Sequence, residues 1–307
     1  MSATNSQAQT YPTRPIRLIA PFAPGGPTDI VARVVAQRLG ASLGQNLVVD
    51  NRPSAGGAIG CELVARAAPD GYTLLLGSSG NLAVAPSLTL KLPYDPVKDF
   101  QPVTQTTSGP QIMVVHPSVQ AKTVQEFIAL ARKSGKLNYA SGGTGMSNHL
   151  ASELFTMAAK VSILHVPYKG TGPALSELLG GQVQMMMSSL LPAMPHVQSG
   201  RLRGLAVTSL KRTAALPDIP TMVESGLPGF ETTSWHGLLL PAKTPAAIAN
   251  RLHSELVKML NHAEVKTLFA NQGMDVVANK PEEFAAYIKS ESEKWSRVIK
   301  TIGLKPQ

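Results

Sequence analysis

Apolar residues in this chain come in short runs broken by glycine and proline. Residues 14–22 (RPIRLIAPF) read as a buried strand stopped by Pro-Gly-Gly-Pro. Thr28 is expected to cap a helix reaching residue 43, with Ile30, Val31, Val34, Val35 and Leu39 on one face and Gly44 as its stop. Residues 47–50 form the next strand. Ser54-Ala55-Gly56-Gly57 then turns into a helix through residue 66, and residues 73–77 (TLLLG) make a third strand. The order βαβαβ predicts a parallel sheet with helices on its faces.

Residues 92–100 (LPYDPVKDF) are rich in turn formers and read as a connection. A second alternating series follows. Strands are expected at 112–115, 137–140, 162–166, 183–187 and 203–207. Helices are expected at 124–133, from a Gly-rich loop to about 159, and at 173–179. After a loop-rich stretch come a strand at 235–240, helices at 245–260, 264–271 and 281–301, and a short strand at 275–277. The last two helices have almost no strands of their own to cover, so they are expected to return to the first sheet. The reading is an α/β chain of two lobes: 11–104 with 222–307, and 105–221. Two chain crossings form a hinge, and a disordered segment covers 1–10.

At 307 residues with 43% hydrophobic content, the chain has material for two cores and is not disordered in bulk. The net charge of +9 favours an anionic partner. Its Lys and Arg are dispersed and aromatics are 5%, so no nucleic-acid surface is expected. No apolar run is long enough to span a bilayer. Residues 1–9 are not an intact secretory signal, so the chain is either cytoplasmic or has had a signal removed. Cys61, the one cysteine, reads as a buried thiol.

One loop type recurs between strand and helix: Ala23-Pro24-Gly25-Gly26-Pro27-Thr28, Ser54-Ala55-Gly56-Gly57 and Ser141-Gly142-Gly143-Thr144-Gly145. Glycine allows close approach of the backbone, and a following helix N-terminus offers free N–H groups to an anion. Any one of these loops could be a plain tight turn; three in a basic protein favour anion binding. None matches a dinucleotide or nucleoside triphosphate motif. Ser78-Ser79-Gly80-Asn81 and Ser188-Ser189 end strands, where they either orient a carboxylate or cap helices. No nucleophile elbow or zinc motif is present, the glycine loops hold no paired carboxylates, and the seven histidines lack metal-ligand spacing. His253 and His262 are expected to face solvent, and His149 to lie on a helix surface. Asp29 is expected to serve the first turn of its helix. No catalytic residue, metal or cofactor is expected.

Residues 21–29 (PFAPGGPTD), 51–60 (NRPSAGGAIG), 70–74 (DGYTL), 94–100 (YDPVKDF) and 139–150 (YASGGTGMSNHL) together resemble the Bug-type receptors of tripartite tricarboxylate transporters. Residues 165–170 (HVPYKG), 178–183 (LLGGQV) and 217–226 (PDIPTMVESG) extend the resemblance over nearly the whole chain. It implies a two-lobed periplasmic binding protein fold, type II-like, with the ligand cleft between the lobes. It also implies a periplasmic location, delivery to membrane permease subunits, and no cofactor or catalysis. Ligands of such receptors are small carboxylates: di- and tricarboxylates, acidic amino acids and aromatic acids. By resemblance the loop from Phe22 to Thr28 grips one carboxylate and the loop from Ser141 to Ser147 donates from the other side. Ser188 stands where many relatives carry an acid able to pair with an amine. This points to a ligand anionic at both ends, aliphatic or aromatic such as terephthalate. His236 replaces a second aromatic after Trp235 and is expected to be a packed loop residue. A monomer is expected. Two other readings stay open: a cytoplasmic enzyme acting on a small acid, and a sensory domain for a signalling partner.

Overall fold

The computed structural model describes residues 11–89 and 91–304; the expected disorder of 1–10 lies outside them. The chain opens with β1 (Ile16–Ala20), α1 (Pro27–Leu43), β2 (Leu47–Asn51), α2 (Ala58–Ala65) and β3 (Thr73–Ser78). β1 lies parallel between β2 and β3, the arrangement the alternating pattern demands. Helix α1 stops on Gly44, whose φ of +67° is costly for other residues. A π-helical turn (Gly80–Val84) and α3 (Ala85–Leu88) lead into β4 (Phe100–Val115).

The second series is α4 (Val124–Ser134), β5 (Asn138–Ser141), α5 (Ser147–Ala159), β6 (Leu164–Pro167), α6 (Thr171–Leu179), β7 (Met185–Ser189), α7 (Leu190–Gln198) and β8 (Arg203–Val207). The chain then returns through β9 (Thr233–Pro241), α8 (Ala246–Leu260), α9 (Ala263–Ala270), β10 (Asp275–Val276) and α10 (Pro281–Ile302).

Strand β4 is 16 residues long, where the sequence suggested four. Its first two-thirds, FQPVTQTTSGP, lack the apolar alternation of a half-buried strand. They are held instead by β9, which pairs antiparallel from Phe100 to Pro110, with register shifts beside Pro102 and Gln105. From Gln111 onward the same strand pairs with β7 and β8 of the second lobe. The first crossing therefore falls at 110/111 and not at 104/105. The second also moves. Met222, Leu227 and Phe230 pack in the second-lobe core, so the chain leaves that lobe at about Thr232 and not at 221.

Helix α7 was not legible either, because Pro192 and Pro195 argue against a helix. Pro192 falls in the first turn, where its missing N–H costs nothing.

Each sheet is covered on both faces. In the first lobe Leu18, Leu74, Leu76, Leu238 and Leu240 meet α1 and α8 on one side. Ile19, Leu75, Trp235 and Leu239 meet Cys61 of α2 and Phe284, Ile288, Trp295 and Ile299 of α10 on the other. Both closing helices thus return to the first lobe. The Glu291 carboxylate of α10, 5% exposed, accepts Nε1–H bonds from Trp235 and Trp295, each at 3.2 Å. In the second lobe α4 and α5 cover one face and α6 and α7 the other. Cys61 is fully buried, which pushes its thiol up to about 12 and leaves it inert.

Candidate functional site

The parallel strands of both lobes end toward each other, so the loops beyond β1, β2 and β3 face those beyond β5, β6 and β7. The loop after β1 is built around Asp29. Its Oδ2 accepts the Gly25 N–H and Arg33 Nε–H, each at 3.0 Å, and its Oδ1 accepts from Asn51 Nδ2 at 3.1 Å. Asn51 Nδ2 also donates to the Phe22 carbonyl at 3.0 Å. Burial opposes the charge on Asp29, yet these donors outweigh it and hold the carboxyl below its ordinary range. Asp29 lies in the first turn of α1 and ties that turn to the loop before it.

Thr28 is not the cap. Gly26 occupies the N-cap position without a side-chain bond, Pro27 starts the helix, and Thr28 is buried one residue further in. Proline's fixed φ suits the first helical position, so the helix begins before the threonine can cap it.

Replacing Asp29 with alanine should cost about 2 kcal/mol of stability, because three donors lose a buried acceptor. Urea denaturation at pH 7 measures this. The sign with pH follows: a depressed carboxyl contributes fully above about pH 4 and loses its contribution as the pH falls further. The difference between wild type and variant should therefore shrink in acid.

The loop after β5 is ordered by its own side chains. Ser141 Oγ accepts the Gly143 N–H at 3.1 Å, Asn148 Oδ1 the Gly142 N–H at 3.3 Å, and His149 Nδ1 the Gly145 N–H at 3.2 Å. Gly143 and Gly145 have φ of +130° and +82°, conformations that favour glycine. His149 is not on a helix surface: it is 3% exposed and stacks on His165. A histidine one turn into α5 can turn back over the loop that precedes the helix, which the helical period alone did not reveal.

Gly56 and Gly57 also have positive φ. A methyl group on Gly57 would lie 3.0 Å from the Phe22 ring, and one on Gly60 would lie 2.7 Å from Pro21 Cβ. The second glycine pair therefore lets α2 seat the first loop. Across the cleft, a Cβ on Gly143 would lie 3.7 Å from the Gly56 nitrogen, and one on Gly56 would lie 3.9 Å from the Thr144 carbonyl.

A fourth loop, Tyr168-Lys169-Gly170-Thr171-Gly172, was overlooked. It repeats the strand–glycine–helix unit between β6 and α6, and that repetition was the available signal. It touches the first loop through main chain: a Cβ on Gly170 would lie 3.1 Å from the Ala23 nitrogen, and one on Gly172 would run into the Pro24 carbonyl oxygen.

Beyond β3, Asn81 is fixed from two sides. Its Oδ1 accepts the Ser78 N–H at 2.9 Å, and its carbonyl accepts from Tyr94 Oη at 2.6 Å. Its amide nitrogen is left over. Ser78 Oγ, Ser79 Oγ and Asn81 Nδ2 are all buried without a protein partner. An unmade group of this kind costs about 1–3 kcal/mol, so an acceptor from outside the chain would find three donors here.

At the hinge, Ser188 Oγ donates to the Ser189 carbonyl at 3.1 Å and Ser189 Oγ to Ser234 Oγ at 3.2 Å. His236 is a strand residue, not a loop residue. It is 1% exposed, with Nδ1 3.3 Å from Thr107 Oγ1, and burial lowers its pKa to about 4. Of the two late histidines, His262 is exposed, while His253 is half-buried and lies 3.3 Å from the Asn279 carbonyl.

The structure thus brings the predicted loops to one seam. Apart from Asp29 and Arg52, both already paired, and exposed Lys169, these loops carry no charge. What such a seam can offer an anion is N–H and O–H dipoles.

Residues 31–304 match the model of the tripartite tricarboxylate transporter family receptor, TctC. Among solved structures, the periplasmic binding protein BugD is 37% identical, with a TM-score of 0.94 over 97% of this chain and 100% of that one. An R. palustris protein solved with adipate is 34% identical, with a TM-score of 0.95 over 97% and 100%. MatC from Rhodopseudomonas palustris, with bound malate, is 34% identical, with a TM-score of 0.90 over 94% and 100%.

Proposed function

Because the chain belongs to the tripartite tricarboxylate transporter receptor family, we propose that it is a periplasmic, monomeric receptor that closes over a small di- or tricarboxylate and delivers it to membrane permease subunits. The observation that carries the ligand class is the set of buried, unpartnered donors at the lobe seam: Ser78 Oγ, Ser79 Oγ and Asn81 Nδ2. The first loop, Phe22 to Thr28, receives one carboxylate, seated by Gly57 and Gly60, with Ala55 and Gly56 beside it in the chain. The loop from Ser141 to Ser147 donates to the solute from the second lobe, with Ser188 and Ser189 at the hinge. Only the closed form lets both lobes donate at once, so the solute stabilises closure.

Four to six charge-assisted hydrogen bonds at about 1.5–3 kcal/mol each, before ordering costs, are of the size that the ~8 kcal/mol of micromolar binding requires. The relatives solved with adipate and malate support a dicarboxylate. No acidic residue lies in the loops to pair with a ligand amine except Asp29, which Arg33 neutralises. The solute is therefore anionic at both ends, aliphatic or aromatic such as terephthalate.

Calorimetry and thermal shift across mono-, di- and tricarboxylates, aspartate and glutamate test this reading. A dicarboxylate should bind at micromolar Kd or tighter and raise the melting temperature. Tight binding of aspartate or glutamate with no response to any dicarboxylate would overturn it.

A further inference from the structure

Behind the second-lobe loop three rings lie in a stack. Tyr139 of β5 and His165 of β6 have centroids 4.9 Å apart at 16°, and His165 and His149 of α5 are 4.1 Å apart at 25°. Each histidine holds one part of the loop. His149 Nδ1 accepts the Gly145 N–H, so its proton resides on Nε2, 4.0 Å from Glu153 Oε1. His165 Nε2 lies 2.6 Å from Ser141 Oγ, which accepts the Gly143 N–H. The titratable groups facing the pair are Tyr139 from β5 and Glu153 from α5, and these two are hydrogen-bonded to each other. The loop from Ser141 to Ser147 contains none.

We propose that His149 and His165 are positioning residues that hold the second-lobe loop in its donating shape, and that protonating them frees the loop and releases the solute. The chemistry is local. A proton on His149 Nδ1 turns the acceptor of the Gly145 N–H into a second donor aimed at it. The charge would also sit against a stacked neighbour 4.1 Å away, with little water to screen it. Burial pushes His149 down to about 3, helped by His165, and His165 down to about 4. With the loop released, both rings return toward the ordinary value of about 6.5. The held loop therefore binds fewer protons than the released one between about pH 4 and 6.5. Its hold is complete above that window and weakens as pH falls through it, by at most about tenfold per unit for each ring.

This inference rests on the Ser141–Ser147 loop being a ligand loop, so the test has one arm with solute and one without. With adipate as probe, calorimetry from pH 7.5 to 5.0 compares wild type, His149→Gln and His149→Leu. Wild type should lose at least about tenfold in affinity across the range. The leucine variant, with no acceptor for Gly145, should bind weakly at every pH. The glutamine variant, which can accept but cannot be protonated, should recover at least about tenfold over leucine and show less than half the wild-type slope. Adipate's own titration is common to all three proteins, so the difference in slope is the readout. A glutamine variant as pH-sensitive as wild type overturns the proposal.

In the second arm, amide exchange of Gly143 and Gly145 is followed by NMR in the ligand-free protein, corrected for intrinsic rates. Protection should fall between pH 7.5 and 5.5 in wild type and hold in His149→Gln. Unchanged protection in wild type also overturns the proposal. Should adipate fail to bind at any pH, the carboxylate reading is what fails, and the exchange arm still decides the role of the histidines.

Discussion

Gly172→Val is expected to weaken solute binding at least about 100-fold while leaving the ligand-free protein folded and as stable as wild type. Gly172 lies in the first turn of α6, and a Cβ there would run into the Pro24 carbonyl and lie 3.2 Å from the Gly25 carbonyl carbon. These are main-chain atoms of a loop anchored by Asp29 and Asn51, so they cannot step aside as a flexible side chain would. The lobes would stop short of contact, and donors on one side would fall out of reach. Losing two charge-assisted bonds costs about 3–6 kcal/mol, at least about two orders of magnitude in Kd. When the lobes part, the valine faces open solvent. The backbone there is not left-handed, so the substitution carries no strain of its own. Calorimetry paired with small-angle scattering checks both halves: wild type should compact on binding and the variant should not. A variant that binds and compacts normally would show that this main-chain contact is not part of closure.

The second large effect concerns stability and the helix that closes the chain. Phe284 of α10 is fully buried, edge-on to Trp235 at 5.7 Å. A methyl group on Gly237 of β9 would overlap its ring, with Cε2 at 3.1 Å. The glycine is a socket for the ring. Phe284→Ala should cost about 3–5 kcal/mol by opening a cavity. Gly237→Ala should cost about 1–3 kcal/mol by overfilling the same space. In the double variant the new methyl occupies part of the hole, so the loss should fall short of the sum by about 1 kcal/mol or more. Urea denaturation of the four proteins gives the cycle. Strict additivity would mean that ring and glycine do not share that space.

What could be read in advance depended on whether a residue's partners lay nearby in the chain. The first parallel strands were legible because their apolar runs end in glycine loops, and Gly44 marks the end of α1 by its own backbone needs. The family motifs carried the location of the proposed site. Strand β4 was not legible, because Thr104, Gln105, Thr106 and Thr107 are polar yet buried beside a strand more than a hundred residues away. The stack of His149 and His165 spans 16 residues of sequence and exists only once β5, β6 and α5 are assembled. Ser78, Ser79 and Asn81 were named as candidates, whereas their lack of protein partners is a property of the packed structure alone.

The place of β9 bears on the order of assembly. It lies between β3 and β4, antiparallel to both, yet it begins at Thr233, after the whole second lobe has been made. A ribosome delivers the three parallel strands and the inserted lobe well before the strand that joins them. Until that strand arrives, the first sheet stays in two pieces with open edges, while the second lobe, pairing β5 to β8 with the end of β4, has all its strands. Such long-range pairing is slow, and open edges invite binding by holding factors. In the proposed reading of a periplasmic receptor, the first lobe would thus stay unclosed until late in synthesis, which suits a chain carried across a membrane before that lobe finishes folding.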